Sequence, residues 1–370
     1  MILQTVFNAI YVSSGYLLFI RDEILFAQKF DPASQKLSGE PISLPDHVGL
    51  FSPALNALFS ASNNGVLVFY PAQAGTTGVD LVWYERSGQR GETISKMFLA
   101  GSSISPDGNS VAMSAYSPNE WIPKLWIMDL QRNTKTPLTK GQGSNPVWEA
   151  DSQTLIYSRG SGSISHIYSA KASGAGAEES LLATEGFSEF PLSLCSDGMT
   201  LLVGRTPQDS PQTTSIWTYS LRDKKLAQFL TPDQRASRAV FSPDCHWVAY
   251  ESRLTGNREI SVVHFPDGER KYQVSSAGGF DPKWRRDGKE LYFFSPQDSS
   301  IAAVPVQEKG EELVLGKPTP LFVVHPLAPR LGVFDITPDA KKFMVFGDTG
   351  SLSRVPLSIT MNWDAEVSKK

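Results

Sequence analysis

Short apolar stretches separated by polar turns run through the whole chain. Examples are SVAMS at 110–114 and ELYFFS at 290–295, each only five or six residues long. No stretch places apolar residues at the helical spacing i, i+3, i+4, i+7 without an interrupting Gly or Pro. The pattern predicts short β-strands joined by tight turns, and therefore an all-β chain.

The turns themselves repeat at a nearly fixed spacing. Six of them carry an aspartate before a final small residue: Asp107, Asp151, Asp197, Asp244, Asp287 and Asp339. Two weaker copies lie at 13–15 and 63–65, and the last turn residues of successive copies are 43 to 52 residues apart. A period in this range is typical of propellers and solenoids.

Aspartate has a local role in such a turn, because its carboxylate accepts a hydrogen bond from the backbone two residues on. Glycine at the last position tolerates a positive φ. Cys245 and Ala340 replace glycine in two copies, so those turns are expected to be strained or of another type.

Each repeat has room for four strands. Third strands are predicted at LWIMDL (125–130) and IWTYSL (216–221), and a weaker fourth follows, as in KYQVSS (271–276). We therefore predict one β-propeller of four-stranded blades over residues 1–370, with eight blades favoured and seven as the alternative. The last repeat has its third strand at 355–363 and lacks a fourth, so residues 2–7 are predicted to supply that strand and close the ring.

Composition adds little that is specific. The 370 residues include 34 basic and 38 acidic side chains, a net charge of −4, which argues against a nucleic-acid partner. The first twenty residues have no basic residue and are broken at Ser13–Gly15, so neither a signal peptide nor a membrane span is predicted in this chain. As written the chain would be cytoplasmic, and extracytoplasmic if it is part of a membrane-spanning kinase. Cys195 and Cys245 are expected as free thiols rather than as a disulfide.

Part of the sequence resembles a known family. FSPDCHWVAYES (241–252), PKWRRDGKELYFFSP (282–296) and the terminal PLSITMNW are similar to TolB-like propellers, relatives of the WD-repeat propellers. Weaker repeats upstream extend the resemblance over nearly the whole chain. Such propellers are found fused to bacterial serine/threonine kinases and to winged-helix regulators. The resemblance implies a sensory or interaction module and carries no activity with it.

Catalytic motifs are not found. The sequence has no kinase HRD or DFG motif, no Walker A loop and no GxSxG elbow. Its five histidines are scattered without HxH or HExxH spacing, so no catalytic residue, metal or cofactor is predicted. The basic cluster Lys283, Arg285, Arg286 and Lys289 is interpreted as a solvated turn.

Binding residues are expected on the loops between second and third strands, which are longer and more variable than the aspartate turns. These loops lie at 115–124, 205–215, 252–259 and 295–301. Variable loops on a rigid scaffold commonly carry binding residues. The candidate contacts are Trp121, Lys124, Gln208, Asp209, Arg253, Asn257 and Arg258. Trp121, an aromatic residue in a loop with two prolines, is the expected anchor.

Three functions follow from these observations. The leading hypothesis is a non-catalytic, monomeric module that binds a protein, peptide or glycan as part of a bacterial signalling protein. The second is a metal-dependent lyase or hydrolase, which requires several His, Gln or acidic side chains to converge at one mouth of the channel. The third is a periplasmic assembly factor comparable to TolB, which would need an export signal.

Overall fold

The chain forms two compact units. The computed structural model describes residues 3, 8–21, 24–51, 56–71, 79–117, 120–161, 164–254, 256–310, 312–326, 332–347 and 357–367. The first unit comprises Met1–Thr77 and Ser351–Lys370, and the second comprises Gly78–Gly350. Described helices include none that is long and apolar enough to cross a membrane.

The first unit begins with a four-stranded antiparallel meander, followed by shorter pairs. Its strands up to residue 69 are β1 (Ile10–Val12), β2 (Tyr16–Arg21), β3 (Ile24–Asp31), β4 (Lys36–His47), β5 (Leu50–Phe51), β6 (Asn56–Ala57), β7 (Phe59–Ala61) and β8 (Val66–Phe69). β1 to β4 pair in sequence order, β5 pairs with β6, and β7 pairs with β8. Leu18, Leu25 and Leu67 are buried in its apolar core.

The second unit is built from successive antiparallel meanders. Its strands are β9 (Val79–Glu85), β10 (Arg90–Ile104), β11 (Ser110–Ser117), β12 (Glu120–Asp129), β13 (Thr134–Pro137), β14 (Ser144–Trp148), β15 (Thr154–Ser161), β16 (Ile164–Lys171), β17 (Glu179–Leu182), β18 (Phe187–Leu194), β19 (Thr200–Pro207), β20 (Ser215–Ser220), β21 (Leu226–Leu230), β22 (Ala236–Phe241), β23 (Trp247–Ser252), β24 (Glu259–His264), β25 (Lys271–Gln273), β26 (Phe280–Trp284), β27 (Glu290–Ser295), β28 (Ser300–Lys309), β29 (Glu312–Leu315), β30 (Thr319–Val323), β31 (Phe334–Ile336) and β32 (Lys342–Phe346). A short 3-10 turn lies at Pro232–Gln234.

Six sheets can be defined among the described strands of this unit. Sheet 1 is the second half of β10 with β11–β13, sheet 2 is β14–β17, sheet 3 is β18–β21, and sheet 4 is β22–β25. Sheet 5 is β26, β27, β28 and β30, with β29 paired to an extension of β28. Sheet 6 combines both ends of the unit, in the order β31, β32, β9 and the first half of β10.

The sheets pack on one another in a closed series. A separate apolar cluster lies between each pair of neighbours: sheets 1 and 2, 2 and 3, 3 and 4, 4 and 5, 5 and 6, and 6 and 1. Apolar residues on both faces of each sheet explain why its second strand reads as an almost continuous apolar run, as in WVAYES at 247–252 with every residue buried.

The chain returns to the first unit after residue 350. β33 (Ser358–Met361) pairs with β8, and the short helix α1 (Trp363–Val367) buries Trp363 against Tyr16. The prediction that 355–363 forms the third strand of the last repeat is therefore wrong. In the structure that position belongs to β9, because β32 pairs with it over Lys342–Phe346.

The β-propeller prediction is confirmed, whereas the number of eight blades is not. The predicted closing strand, residues 2–7, lies outside the described residues except for Leu3. That residues 1–370 form one domain stays a prediction.

The aspartate turns form as predicted. In all six, the carboxylate accepts a hydrogen bond from the backbone N–H two residues on, at 2.7 to 3.1 Å. Cys245 and Ala340 have φ of 64° and 53°, close to the glycines at the same position, so the turn type is kept and the backbone there is strained. We call the end of the second unit that carries these six turns the tight-turn end. The opposite end, which carries the loops between second and third strands, is the long-loop end.

The expectation of free thiols is wrong. Cys195 and Cys245 form a disulfide with a Cα–Cα distance of 5.6 Å, linking the tight turns of sheets 3 and 4. The two cysteines are 50 residues apart in sequence, and it is the packing of neighbouring repeats that brings them together.

Candidate functional site at the long-loop end

The predicted binding residues are divided between exposed and buried positions. Gln208 and Asp209 are exposed on the loop after β19, and Arg253 and Asn257 are exposed on the loop between β23 and β24. Arg258, by contrast, is half-buried and ion-paired. Four of the seven candidates are thus available to a partner on loops of sheets 3 and 4.

The other two candidates lie on β12. Lys124 is half-buried and its backbone pairs with Ala115 of β11. Trp121 has its backbone in the same strand, and the orientation of its side chain lies outside the described part of the structure. The prediction that Trp121 is an anchor therefore stays a prediction.

Three exposed apolar side chains at this end were missed from the sequence. Ile122, Ile164 and Leu254 are 52%, 38% and 55% exposed, and each lies at a second-to-third loop, in sheets 1, 2 and 4. Leu254 and Ile122 could have been noticed as apolar residues inside otherwise polar loops. Together with Arg253, they give this end a mixed apolar and basic surface, which is typical of a protein interface.

A buried ion cluster lies beneath the loop of sheet 4. The Glu251 side chain is fully buried at the end of β23. Its carboxylate accepts a hydrogen bond from Arg258 at 2.9 Å, lies 3.2 Å from Arg238 Nε, and accepts another bond from the backbone N–H of Asp281 at 2.9 Å. Burial raises the pKa of Glu251, against the effect of both arginines and of this N–H. The sequence signal for this cluster was Glu251 itself. It is a charged residue that directly precedes a loop and follows the apolar centre of its strand.

Two members of the cluster lie in bulges of the inner strands, which change the direction of their side chains. β22 is irregular between Ser237 and Val240, and β26 is irregular between Phe280 and Lys283. Arg238 and Asp281 lie in these bulges with φ of 48° and 56°. An extra residue in a strand redirects a side chain out of the regular alternation, and such bulges are frequent next to functional sites.

Asp281 extends the cluster to sheet 6. Its carboxylate accepts hydrogen bonds from the N–H groups of Val333 and Phe334, and lies 3.4 Å from Arg238 Nη1 and 3.8 Å from Lys283 Nζ. Burial acts to raise the pKa of Asp281, but the two cations and the two N–H groups outweigh it and lower the pKa.

Lys283 connects this carboxylate to a second one. Its Nζ lies 4.0 Å from Asp335, which accepts a hydrogen bond from the N–H of Ile104 in sheet 1. Burial acts to lower the pKa of Lys283, but the two aspartates raise it. Burial also raises the pKa of Asp335. The whole cluster has three acidic and three basic side chains, so its charges balance. Its contacts stabilise the inner strands β22, β26 and β31.

A separate buried ion pair lies in sheet 3. Glu189 of β18 is fully buried and accepts a hydrogen bond from Arg205 Nε of β19 at 3.2 Å. The guanidinium lies 3.6 Å from the ring centroid of Phe187 and 4.9 Å from that of Trp217. His166 Nδ1 lies 3.4 Å from the same carboxylate. These charges are also mutually satisfied, so this pair positions the loop after β19 rather than offering a free charge.

Potential metal ligands do not gather among the described residues of this end. Among the described residues, a group of three donors comes together at the tight-turn end instead: Asp244, His246 and Glu308. Of the basic residues interpreted as a solvated turn, Arg286 and Lys289 are exposed, whereas Lys283 and Arg285 are half-buried. Lys283 pairs with Asp281, Arg285 pairs with Glu290, and Arg286 donates to the Pro106 carbonyl at 3.0 Å.

Comparison with solved structures identifies the fold. A putative TolB from Agrobacterium tumefaciens matches with a TM-score of 0.56 and 16% identity, covering 75% of this chain and 100% of that one. Hydrazine synthase of Kuenenia stuttgartiensis matches at 0.51 and 13%, covering 80% of this chain and 92% of that one. An oligogalacturonate lyase in complex with manganese matches at 0.50 and 14%, covering 78% and 82%.

These matches show that the chain has a β-propeller fold, which it shares with a putative TolB and with other proteins. No family model matches the sequence, and no curated protein matches it either. Since the similar structures carry different activities in their names, the fold does not assign one to this chain.

Proposed function

We propose that the second unit is a non-catalytic binding module that takes a protein or peptide at its long-loop end. The observation that carries this is the set of exposed apolar side chains, Ile122, Ile164 and Leu254, at the loops of three sheets. Loops that project from a rigid scaffold are where binding residues concentrate, and apolar side chains exposed there are available to a partner. A glycan is the less supported ligand, since these side chains are aliphatic.

The buried cluster prepares this surface for binding. Arg258, which ends the loop between β23 and β24, is fixed by its bond to Glu251 and lies 5.2 Å from the Phe280 ring centroid. Arg253 and Leu254 therefore project from a loop with an anchored base. Preorganisation of this kind reduces the entropy lost when a partner binds.

The sensory part of a bacterial signalling protein is the context we favour. The resemblance to propellers fused to serine/threonine kinases and winged-helix regulators supports it. The disulfide Cys195–Cys245 supports an oxidising compartment outside the cytoplasm, where such bonds persist. A monomer is proposed, as expected from the sequence.

The lyase or hydrolase hypothesis has less support. It requires metal-ligating or acid–base groups at a channel mouth. The acidic side chains described beneath the long-loop end, Glu251 and Asp281, are instead bound to arginine, lysine and backbone N–H groups.

Site-specific photo-crosslinking in the native host tests the binding surface. The crosslinking residue p-benzoylphenylalanine would replace Ile122 or Leu254 and, as the control at the tight-turn end, Met199, which is 49% exposed. We expect one protein to be crosslinked at both long-loop positions and not at Met199, and the yield at Leu254 to fall when Arg253→Glu is added. The same adduct at Met199, or no adduct at the long-loop positions, would overturn the proposal.

A further inference from the structure

Three metal-ligating side chains meet at the tight-turn end, where sheets 4 and 5 adjoin. Asp244 and His246 flank Cys245 in the turn between β22 and β23, and Glu308 lies near the end of β28. His246 Nδ1 is 3.6 Å from Asp244 Oδ2 and 4.0 Å from Glu308 Oε1. One donor atom from each residue lies within 4.8 Å of the other two.

An additional hairpin brings Glu308 to this position. β28 continues past its pairing with β30, and Val306–Lys309 pair with β29 instead. In sheets 2, 3 and 4 the outer edge of the third strand pairs with the fourth strand and with no additional strand among those described. The extension therefore places a carboxylate from sheet 5 over the aspartate turn of sheet 4, a juxtaposition absent from the described aspartate turns of the other sheets.

Bonds to the surrounding protein orient both carboxylates. Asp244 Oδ1 accepts hydrogen bonds from Ser242 Oγ and from the His246 N–H, which leaves Oδ2 directed towards the imidazole. Glu308 Oε1 accepts a bond of 2.6 Å from the indole N–H of Trp247, a side chain only 2% exposed. Outer hydrogen bonds of this type fix the ligands of protein metal sites.

No described lysine or arginine is ion-paired with Asp244 or Glu308, although Lys289 lines the same cavity. Among the described residues, His246 is the only basic side chain within 4.0 Å of Asp244 or Glu308. Two carboxylates so close repel each other when both are ionised. A bound divalent cation would remove that repulsion.

An open cavity adjoins two of the three side chains. It has a volume of about 460 Å³ and is lined by Asp244, Glu308, Trp247 and Lys289, among others. A water in this cavity could complete the coordination of a cation.

We propose that Asp244, His246 and Glu308 form a site for a first-row divalent cation of the zinc type. One imidazole nitrogen and two carboxylate oxygens, with water in an open position, are a ligand set that zinc uses. Tetrahedral ligands at 2.0–2.2 Å stand about 3.4 Å from one another. The separations of 3.6 and 4.0 Å from His246 Nδ1 are close to that value, and the donor atoms of Asp244 and Glu308 lie within 4.8 Å of each other.

A disulfide to the neighbouring sheet restrains the backbone at the site. Cys245, between the two sheet 4 ligands, is bonded to Cys195 of sheet 3. The disulfide thus restrains the turn that carries Asp244 and His246, and a restrained turn keeps its ligands close to the binding geometry.

Calorimetric titration of the whole chain with ZnCl₂ tests the proposal, with CaCl₂ as the comparison cation. We expect one Zn²⁺ per chain, and a loss of affinity in Asp244→Asn, His246→Gln and Glu308→Gln of at least the roughly tenfold that follows when a residue supporting a metal ligand is changed. Calcium, which prefers six to eight oxygen ligands, should bind far more weakly. Circular dichroism would confirm that each variant is folded.

Two matched variants distinguish this site from other carboxylate and histidine groups. Asp151→Asn changes the aspartate of an equivalent turn without a histidine two residues on, and His264→Gln changes a histidine that lies 2.9 Å from Asp267. Both should bind Zn²⁺ like the wild type. The proposal is overturned if the wild type binds no Zn²⁺, if Glu308→Gln binds it unchanged, or if His264→Gln reduces binding as much as His246→Gln. Because these residues lie at the tight-turn end, the outcome is independent of the long-loop binding surface.

Discussion

Sheets 3 and 4 each bury a glutamate–arginine pair at the long-loop end, with the two charges exchanged between strands. In sheet 3 the acid Glu189 is on the inner strand and Arg205 is opposite it on the second strand. In sheet 4 the acid Glu251 is on the second strand, and Arg238 is on the inner strand beside its register partner Ser237.

The exchange changes what each pair holds together. Arg205 lies among aromatic rings of its own sheet, Phe187 and Trp217, and the Glu189 carboxylate also lies 3.4 Å from His166 of sheet 2, so that pair has one arginine and one histidine as its charged partners. Glu251 instead accepts the N–H of Asp281 in sheet 5 and the guanidinium of Arg258 at the base of a loop. An acid on the second strand, close to the loop, thus links neighbouring sheets to the proposed binding surface.

Removing the two acids should therefore have unequal effects. Glu251→Ala removes the carboxylate that accepts from Arg258 and from the Asp281 N–H and leaves Arg238 with Asp281 as its acidic partner, so we expect a loss of about 3–5 kcal/mol in the free energy of unfolding. Glu189→Ala should cost less, about 2–3 kcal/mol, because Arg205 keeps its contacts with the aromatic rings. Urea denaturation followed by tryptophan fluorescence measures both.

Two further variants complete this comparison: one with a neutral side chain at position 251, and one at an exposed glutamate. Glu251→Gln retains an acceptor oxygen and should lose less stability than Glu251→Ala. Glu185→Ala, at an exposed position, should change stability by less than about 0.5 kcal/mol. Equal losses in Glu251→Ala and Glu189→Ala would contradict the argument that Glu251, the acceptor for two arginines and for an N–H of the next sheet, is the more important acid.

The same two sheets are joined covalently at their other end, which allows the second prediction. The double variant Cys195→Ala/Cys245→Ala should lose about 4 kcal/mol, as expected for a crosslink between residues 50 apart. Reducing the wild type with dithiothreitol should give a similar loss, visible as a lower urea midpoint.

The strained φ of 64° at Cys245 gives this prediction a control. Cys195→Ala/Cys245→Gly should recover about 1 kcal/mol relative to the double alanine variant, because glycine adopts that conformation without strain. A wild type whose urea midpoint is insensitive to dithiothreitol would refute the stabilising role of the disulfide.

The smallest effect on stability is expected for substitutions in the aspartate turns, which all six sheets share. The pKa of Asp151 is lowered to about 2, since bonds from the Gln153 and Thr154 N–H groups, the Thr154 hydroxyl and Lys171 outweigh the effect of burial. A depressed pKa gives stability that is present above the unfolded value of 3.8 and is lost as the pH falls towards 2. Since the side chain is 41% exposed, we expect Asp151→Asn to cost only about 1 kcal/mol at pH 7.

The loss of unfolding free energy caused by Asp151→Asn should become smaller as the pH falls from about 4 to about 2. Urea midpoints of the wild type and Asp151→Asn across that interval provide the measurement, with the exposed loop variant Asp209→Asn as the reference. A difference between wild type and Asp151→Asn that does not depend on pH would show that the turn carboxylate contributes no linked stability.

The tight turns could be predicted because their causes are local. Asp151 bonds to Gln153 and Asp244 bonds to His246, so the residues needed for each turn lie within one short segment. Leu254 and Ile122 were visible inside the loops, but their exposure depends on what packs beside them. The Asp244, His246 and Glu308 group was not predicted, because the third member comes from a hairpin extension in the next sheet.

The sequence by itself determined the repeat, the all-β propeller class and the turn chemistry, since periodicity and residues two positions apart are sufficient for these. Only the tertiary structure decided how β32 meets β9, which cysteines pair, and where each buried charge finds its partner. Those contacts join segments tens to hundreds of residues apart, and pairing at that distance is set by how whole sheets pack rather than by any local pattern.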